Sequence, residues 1–149
     1  MTNRREAVAG LAAGAAVLML AREASAKPVA VSAADALKAL NPWADALFVG
    51  TPKAVFPVLA AEFQITRSDG TGFDKAGYLK NLPKQKKRNA FSDIVATGTA
   101  DVMVIRYMVD ADQVIAGKST VGKAPRISTF RRHGKDWLMS SHANFSPLG

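Results

Sequence analysis

The sequence has no cysteine, which excludes disulfides, thiolate catalysis and cysteine-based zinc sites, so stability has to come from packing. Histidine is almost as scarce. His133 and His142 are the only two, and a predicted hairpin turn between them denies them the spacing of a dedicated metal pair. Gly-rich phosphate loops, paired histidines on one helix and serine-nucleophile motifs are all missing, so no cofactor, metal or established catalytic constellation is implied. Acidic residues are the minority, 12 against 20 lysines and arginines, giving a formal net charge of +8. Such a surplus suits nucleic acid, anionic membranes or anionic ligands, and it also aids solubility. The longest apolar run, Ala7 to Ala21, has 15 residues, short of the ~20 that a bilayer-spanning helix needs.

What is present fits one folded domain. The chain has 149 residues, 48% hydrophobic and 21% charged, a balance that buries a core. Its N-terminus has the grammar of an export signal. Arg4 and Arg5 precede the apolar run, and Ala24-Ser25-Ala26 has the small-x-small pattern of a cleavage site. The adjacent arginines, mild hydrophobicity and Arg22 resemble a twin-arginine signal, so residues 1–26 are expected to be removed, with a periplasmic or secreted product and no stable membrane insertion afterwards. Losing three arginines against Glu6 and Glu23 leaves the mature chain at +7.

Residues 27–32 read as a short extended linker, and 33–149 as the domain. Ser32 can cap a helix from Ala33, Asn41-Pro42 reads as the start of a second helix to Val49, and Thr51-Pro52 as the start of a third to about Ala60, with Val55, Phe56, Leu59 and Phe63 facing the core. Alternation around Phe63 and Ile65 predicts a short strand before the Ser68-Asp69-Gly70 turn, and Asp74 caps a short helix that Pro83 ends. Lys84 to Arg88 reads as a charged loop. Four strands follow: Phe91 to Thr97, Asp101 to Val109 with an extension to Ala116, Arg126 to His133, and Asp136 to Phe145 after a tight turn at Gly134.

The order of elements, the phrase Phe73-Asp74-Lys75-Ala76-Gly77-Tyr78-Leu79 and the closing strand Trp137-Leu138-Met139-Ser140-Ser141-His142-Ala143-Asn144-Phe145 resemble a nuclear transport factor 2-like domain, nearest to its SnoaL-like or ketosteroid isomerase-like branch. The resemblance covers roughly Ala33 to Leu148. It implies an α+β, cystatin-like cone in which a strongly curved antiparallel sheet wraps N-terminal helices around a pocket, with pairing into a homodimer through the sheet's outer face.

Candidate site residues carry both a functional and a structural reading. His142 alternates onto one face with Leu138, Ser140 and Asn144 unless a β-bulge reverses it, and on a concave face it supplies a base. Arg106, inside an apolar strand, needs a partner or solvent: a ligand carboxylate, or Asp101 or Asp110 in a salt bridge. Tyr107 points the other way and offers a hydrogen bond. Trp43, with Arg106, Tyr107, His142 and Asn144, completes the candidate ligand-binding set, while His142, Asp45 and Tyr107 are the weaker catalytic candidates. The run Lys84-Gln85-Lys86-Lys87-Arg88 lacks interleaved aromatics and any nucleic-acid motif, so it reads as a solvated loop and no nucleic-acid partner is expected. Two functions follow: a noncatalytic module binding a small apolar or anionic molecule, or a lyase or isomerase acting on a small carbonyl compound.

Overall fold

The computed structural model describes residues 27–146; the leader and its cleavage site lie outside the described residues. Ser32 caps α1 (Ala33–Val49) by accepting the Asp35 N–H at 3.1 Å, and Gly50 closes it with φ 73°. The helix runs straight through Asn41-Pro42 instead of restarting there. Proline removes one helical N–H, but the stripe Ala36, Leu40, Trp43, Ala44 and Leu47 is buried on both sides of it, so packing holds the two halves together. Asn41 caps nothing; its Oδ1 accepts from Arg88 Nη2 at 3.0 Å.

The third expected helix is cut short. α2 (Pro52–Val55) passes into one 3₁₀ turn at Phe56–Val58, and β2 (Leu59–Thr66) begins where the helix was to continue. Pro57 causes this, because its ring and missing N–H oppose another α-turn. Val55, Leu59 and Phe63 are buried as expected, but Phe56 is exposed, with the Lys75 ammonium 3.8 Å above its ring. Asp74 caps α3 (Lys75–Lys80) through the Gly77 N–H at 2.7 Å.

One open, curved sheet holds all the strands. They are β1 (Val29–Val31), β2, β3 (Gly72–Asp74), β4 (Lys84–Gln85), β5 (Ala90–Gly98), β6 (Val102–Ile115), β7 (Lys118–His133) and β8 (Asp136–Asn144). Their order is β1-β5-β6-β7-β8-β2-β3, and every pairing is antiparallel except β2 with β8, which makes the sheet mixed. The stretch read as a linker contributes β1, paired with the end of β5. The stretch read as a solvated loop contributes β4. It covers the part of β6 that outruns β5, and the following Lys86, Lys87 and Arg88 pair with Asp112, Asp110 and Asp45. β7 starts eight residues earlier than expected, because Ala116 (φ 48°) and Gly117 (φ 79°) form a two-residue turn that lets β6 and β7 pair along their whole length.

Alternation then decides what faces the helices. On β6, Met103, Ile105, Tyr107, Val109, Ala111 and Gln113 point inward and are buried, while Arg106 points outward and is exposed. Phe63, Tyr78, Phe130 and Met139 join them against α1 to form the core.

Candidate functional site

From the Ile105 row onward, polar residues of β7 and β8 join the apolar ones on the inner face. Register explains the grouping. Ser128 of β7 lies between Ile105 of β6 and His142 of β8, and in the next row Arg126 lies between Tyr107 and Asn144. On the other side of β8, Ile65 of β2 lies beside His142, and Arg67 follows it just beyond the strand. Three strands thus bring His142 and Asn144 (β8), Arg126 (β7) and Arg67 (just past β2) to one end of the core. From α1, Trp43 tilts its indole onto the His142 ring with centroids 4.7 Å apart.

A bulge sets the facing of β8. Met139 pairs with Phe130 and Ser141 with Thr129, leaving Ser140 as the extra residue, its hydroxyl donating to the Thr129 carbonyl at 3.2 Å. His142 therefore shares the inner face with Met139, three residues back, and not with Leu138 and Ser140 as simple alternation gives. Asn144, beyond the bulge, lines the same space as His142.

The histidine lies inside a hydrogen-bonded chain. Ser128 Oγ is 2.8 Å from His142 Nδ1 and 3.0 Å from the Tyr107 hydroxyl, and all three residues are buried. Burial, then the Arg126 charge, push the His142 pKa down to about 3, against a smaller opposite pull from Asn144. Its ring is neutral at physiological pH. Burial likewise raises the Tyr107 hydroxyl above the usual phenol range.

The two arginines were not singled out from the sequence. Arg126 is 6% exposed and Arg67 7%. Arg126 Nη1 donates to the carbonyls of Pro125 and Phe145 at 2.7 and 3.0 Å; Arg67 Nη2 donates to the Asn81 carbonyl, and its guanidinium lies 4.8 Å above the Phe73 ring. Neither has a carboxylate partner among the described residues, whereas Lys38, Lys86, Lys87, Arg88 and Arg131 all do. Burial depresses the Arg126 pKa, marking the cost of an uncompensated charge there. The space these groups enclose is only about 20 Å³, enough for a water molecule or two. Trp43 Nε1, Asn89 Oδ1 and Asn144 Oδ1 are buried against it without a hydrogen-bond partner. Arg67 also lines a cleft of about 280 Å³, with Lys80, Asn81, Lys84 and Gly117. A larger cleft of about 670 Å³, around Lys38, Met103, Arg132 and Trp137, lies at the opposite end of β6 and shares none of the buried polar groups.

Of the other candidates, Tyr107 is inside, packed edge-on against Phe91 with centroids 5.3 Å apart. Arg106 is on the outer face, away from the space. Asp45 is exposed on α1 and accepts from Arg88 Nε at 2.6 Å, so it does not converge with Tyr107. No acidic residue lines the space, and no group of three or more metal-ligating side chains converges among the described residues.

The sidechain of His142 gives a measurable pH signature. An unfolded chain protonates it near the ordinary value of 6.5, the folded one only near 3, so the unfolded state binds the extra proton between these limits. Stability is expected to fall as pH drops through that window, by up to about 1.4 kcal/mol per unit from this group. His142→Asn should flatten the slope in urea unfolding between pH 6.5 and 4, and an unchanged slope would contradict the burial of a neutral ring.

No family profile and no curated protein matches the sequence. Solved structures do. A nuclear transport factor 2-like protein from Cytophaga hutchinsonii superposes with a TM-score of 0.69 at 9% identity, covering 78% of this chain and 99% of that one. A nuclear transport factor 2-like protein of unknown function in nutrient uptake from Rhodospirillum rubrum gives 0.64 at 19% identity, with 79% and 100% covered. A protein from Exiguobacterium sibiricum, provisionally assigned as a Ca/calmodulin-dependent kinase II association domain, gives 0.65 at 16%, with 80% and 97% covered. With helices packed on one curved, open sheet and these neighbours spanning the domain, the chain has the nuclear transport factor 2-like, cystatin-like fold.

Proposed function

We propose that the protein is a noncatalytic module that binds a small molecule through a negatively charged head group at the polar end of its core. The observation that carries this reading is the pair of buried guanidiniums, Arg67 and Arg126, without a carboxylate partner among the described residues. A buried charge is costly unless paired, and a planar anion matches a guanidinium. In this reading the head group meets Arg67, which lines both the inner space and the 280 Å³ cleft, and Lys80 and Lys84 in that cleft favour the approach of an anion. The lyase or isomerase alternative needs His142 or Asp45 as a base with Tyr107; Asp45 is exposed and paired with Arg88, and His142 Nδ1 already faces the Ser128 hydroxyl, so neither position supports that reading.

Thermal-shift titration with short-chain and aromatic carboxylates tests this reading. A saturable rise in Tm is expected, weakened about tenfold in His142→Ala; no shift with any member of the series would contradict it. We also propose export and pairing. The leader supports cleavage after Ala26, and the outer sheet face carries the exposed Val95, Val102 and Ile127 around Arg106, a surface that a second copy covers on a fold shared with a protein provisionally assigned as an association domain. A periplasmic product starting at Lys27 by intact mass, sedimenting as a dimer, is expected. Residues 1–26 still attached there, or a monomer at high micromolar concentration, would count against these two proposals.

A further inference from the structure

The buried chain Tyr107, Ser128, His142 has a direction, and the direction decides what the histidine offers to the site. Hydroxyl hydrogens are not fixed by heavy-atom positions, so the direction follows from which groups need partners. Tyr107 is buried, and the Ser128 hydroxyl at 3.0 Å is its one hydrogen-bond partner among the described residues. If Ser128 donated to the Tyr107 oxygen, the phenolic hydrogen would be left buried without an acceptor, at a cost of about 1–3 kcal/mol. Tyr107 must therefore donate to Ser128. The Ser128 hydrogen is then free to donate, and the His142 Nδ1 at 2.8 Å is the acceptor within reach. A neutral imidazole that accepts at Nδ1 carries its proton on Nε2.

Resting on the binding function proposed above, we infer that Tyr107 and Ser128 are positioning residues that lock His142 as the Nε2–H tautomer, so that it serves the site as a hydrogen-bond donor and not as a base. The lining then sets the Nε2–H, the Trp43 indole N–H and the guanidiniums of Arg126 and Arg67 beside two amide oxygens, Asn89 Oδ1 and Asn144 Oδ1, that are buried there without a partner. With two guanidinium charges and no acid in that lining, the array favours the acceptor oxygens of a carboxylate over a cation. It also separates binding from catalysis in this fold, because a base facing the ligand needs a free ring lone pair, and here that lone pair points at Ser128.

Long-range ¹H–¹⁵N correlation spectra of the full-length protein read the tautomer directly, and with two histidines in the chain His133→Gln assigns the signals. The wild type is expected to show His142 protonated on Nε2 alone. Tyr107→Phe removes the first donor, so Ser128 can either give or accept, and a mixture of tautomers is expected together with about tenfold weaker acetate binding. Arg126→Met, by contrast, should abolish acetate binding and leave the tautomer unchanged. A wild-type histidine protonated on Nδ1 would overturn the inference whatever Tyr107→Phe does to folding, as would a Tyr107→Phe protein that keeps the Nε2–H form alone. An Nε2–H wild type that shifts in Tyr107→Phe but binds no carboxylate upholds the positioning role and instead removes the binding function on which the site was read.

Discussion

Arg126→Met is expected to cost the protein its ligand, by about 100-fold or more in affinity, while leaving its stability equal or greater. The two halves of this result come from one cause. Arg126 is 6% exposed between Tyr107 and Asn144, and its only hydrogen-bond partners among the described residues are the carbonyls of Pro125 and Phe145, which spread none of its charge onto an acid. Losing those two hydrogen bonds costs about 1 kcal/mol each, but removing an uncompensated buried charge returns a similar or larger amount. A truncated partner in a desolvated charge pair typically loses about 2–5 kcal/mol of binding, which sets the expected loss of affinity. Calorimetric titration with a carboxylate and urea unfolding of the same variant measure both halves. A variant that is several kcal/mol less stable would mean that Arg126 is structural, and one that binds as well as wild type would place the anion elsewhere.

Phe130→Ala is expected to destabilise the fold by about 3–5 kcal/mol. Phe130 is 1% exposed on β7, opposite Met103 of β6 and Met139 of β8, so its ring fills the layer that separates the polar end of the core from the opposite cleft. Nothing nearby can collapse into the gap without moving strands paired on both sides. Phe56→Ala is the control: its ring is 58% exposed under the Lys75 ammonium, so a loss under about 1 kcal/mol is expected. Urea midpoints of the two variants should differ widely; similar midpoints would show that the core is not where the inner faces of β6, β7 and β8 put it.

The long strands and the helix cap at Ser32 were legible because alternation and capping are local. The errors arose where a local signal competed with a distant one. Asn41-Pro42 has the form of a helix start, yet the stripe from Ala36 to Leu47 packs on the sheet as one surface and overrides it. Gly122 and Pro125 hid the first half of β7, whose pairing is imposed by the turn at Ala116-Gly117. At the site, the bulge at Ser140 leaves no local trace, so it altered the neighbours of His142 without altering its pairing with Asn144.

The two arginines teach more. Phe63, Ile65 and Arg67 alternate, as do Ala124, Arg126, Ser128 and Phe130, so strand parity alone put both guanidiniums on the apolar face. Arg106 drew attention because apolar residues flank it on both sides. Its parity sets it opposite to Met103, Ile105 and Tyr107, and hence outside. No sequence pattern could reveal that the inward arginines lack acids, since the basic run at Lys84 to Arg88 takes Asp45, Asp110 and Asp112 for itself only in three dimensions.

The most direct measurement is calorimetric titration of the wild-type protein with benzoate and, in parallel, with benzamide, which has nearly the same shape but no charge. A site built on Arg67, Arg126 and the Nε2–H of His142 predicts one-to-one binding of benzoate and none of benzamide at the same concentrations. Equal binding of the two, or binding of neither, would contradict an anion site at the polar end of the core.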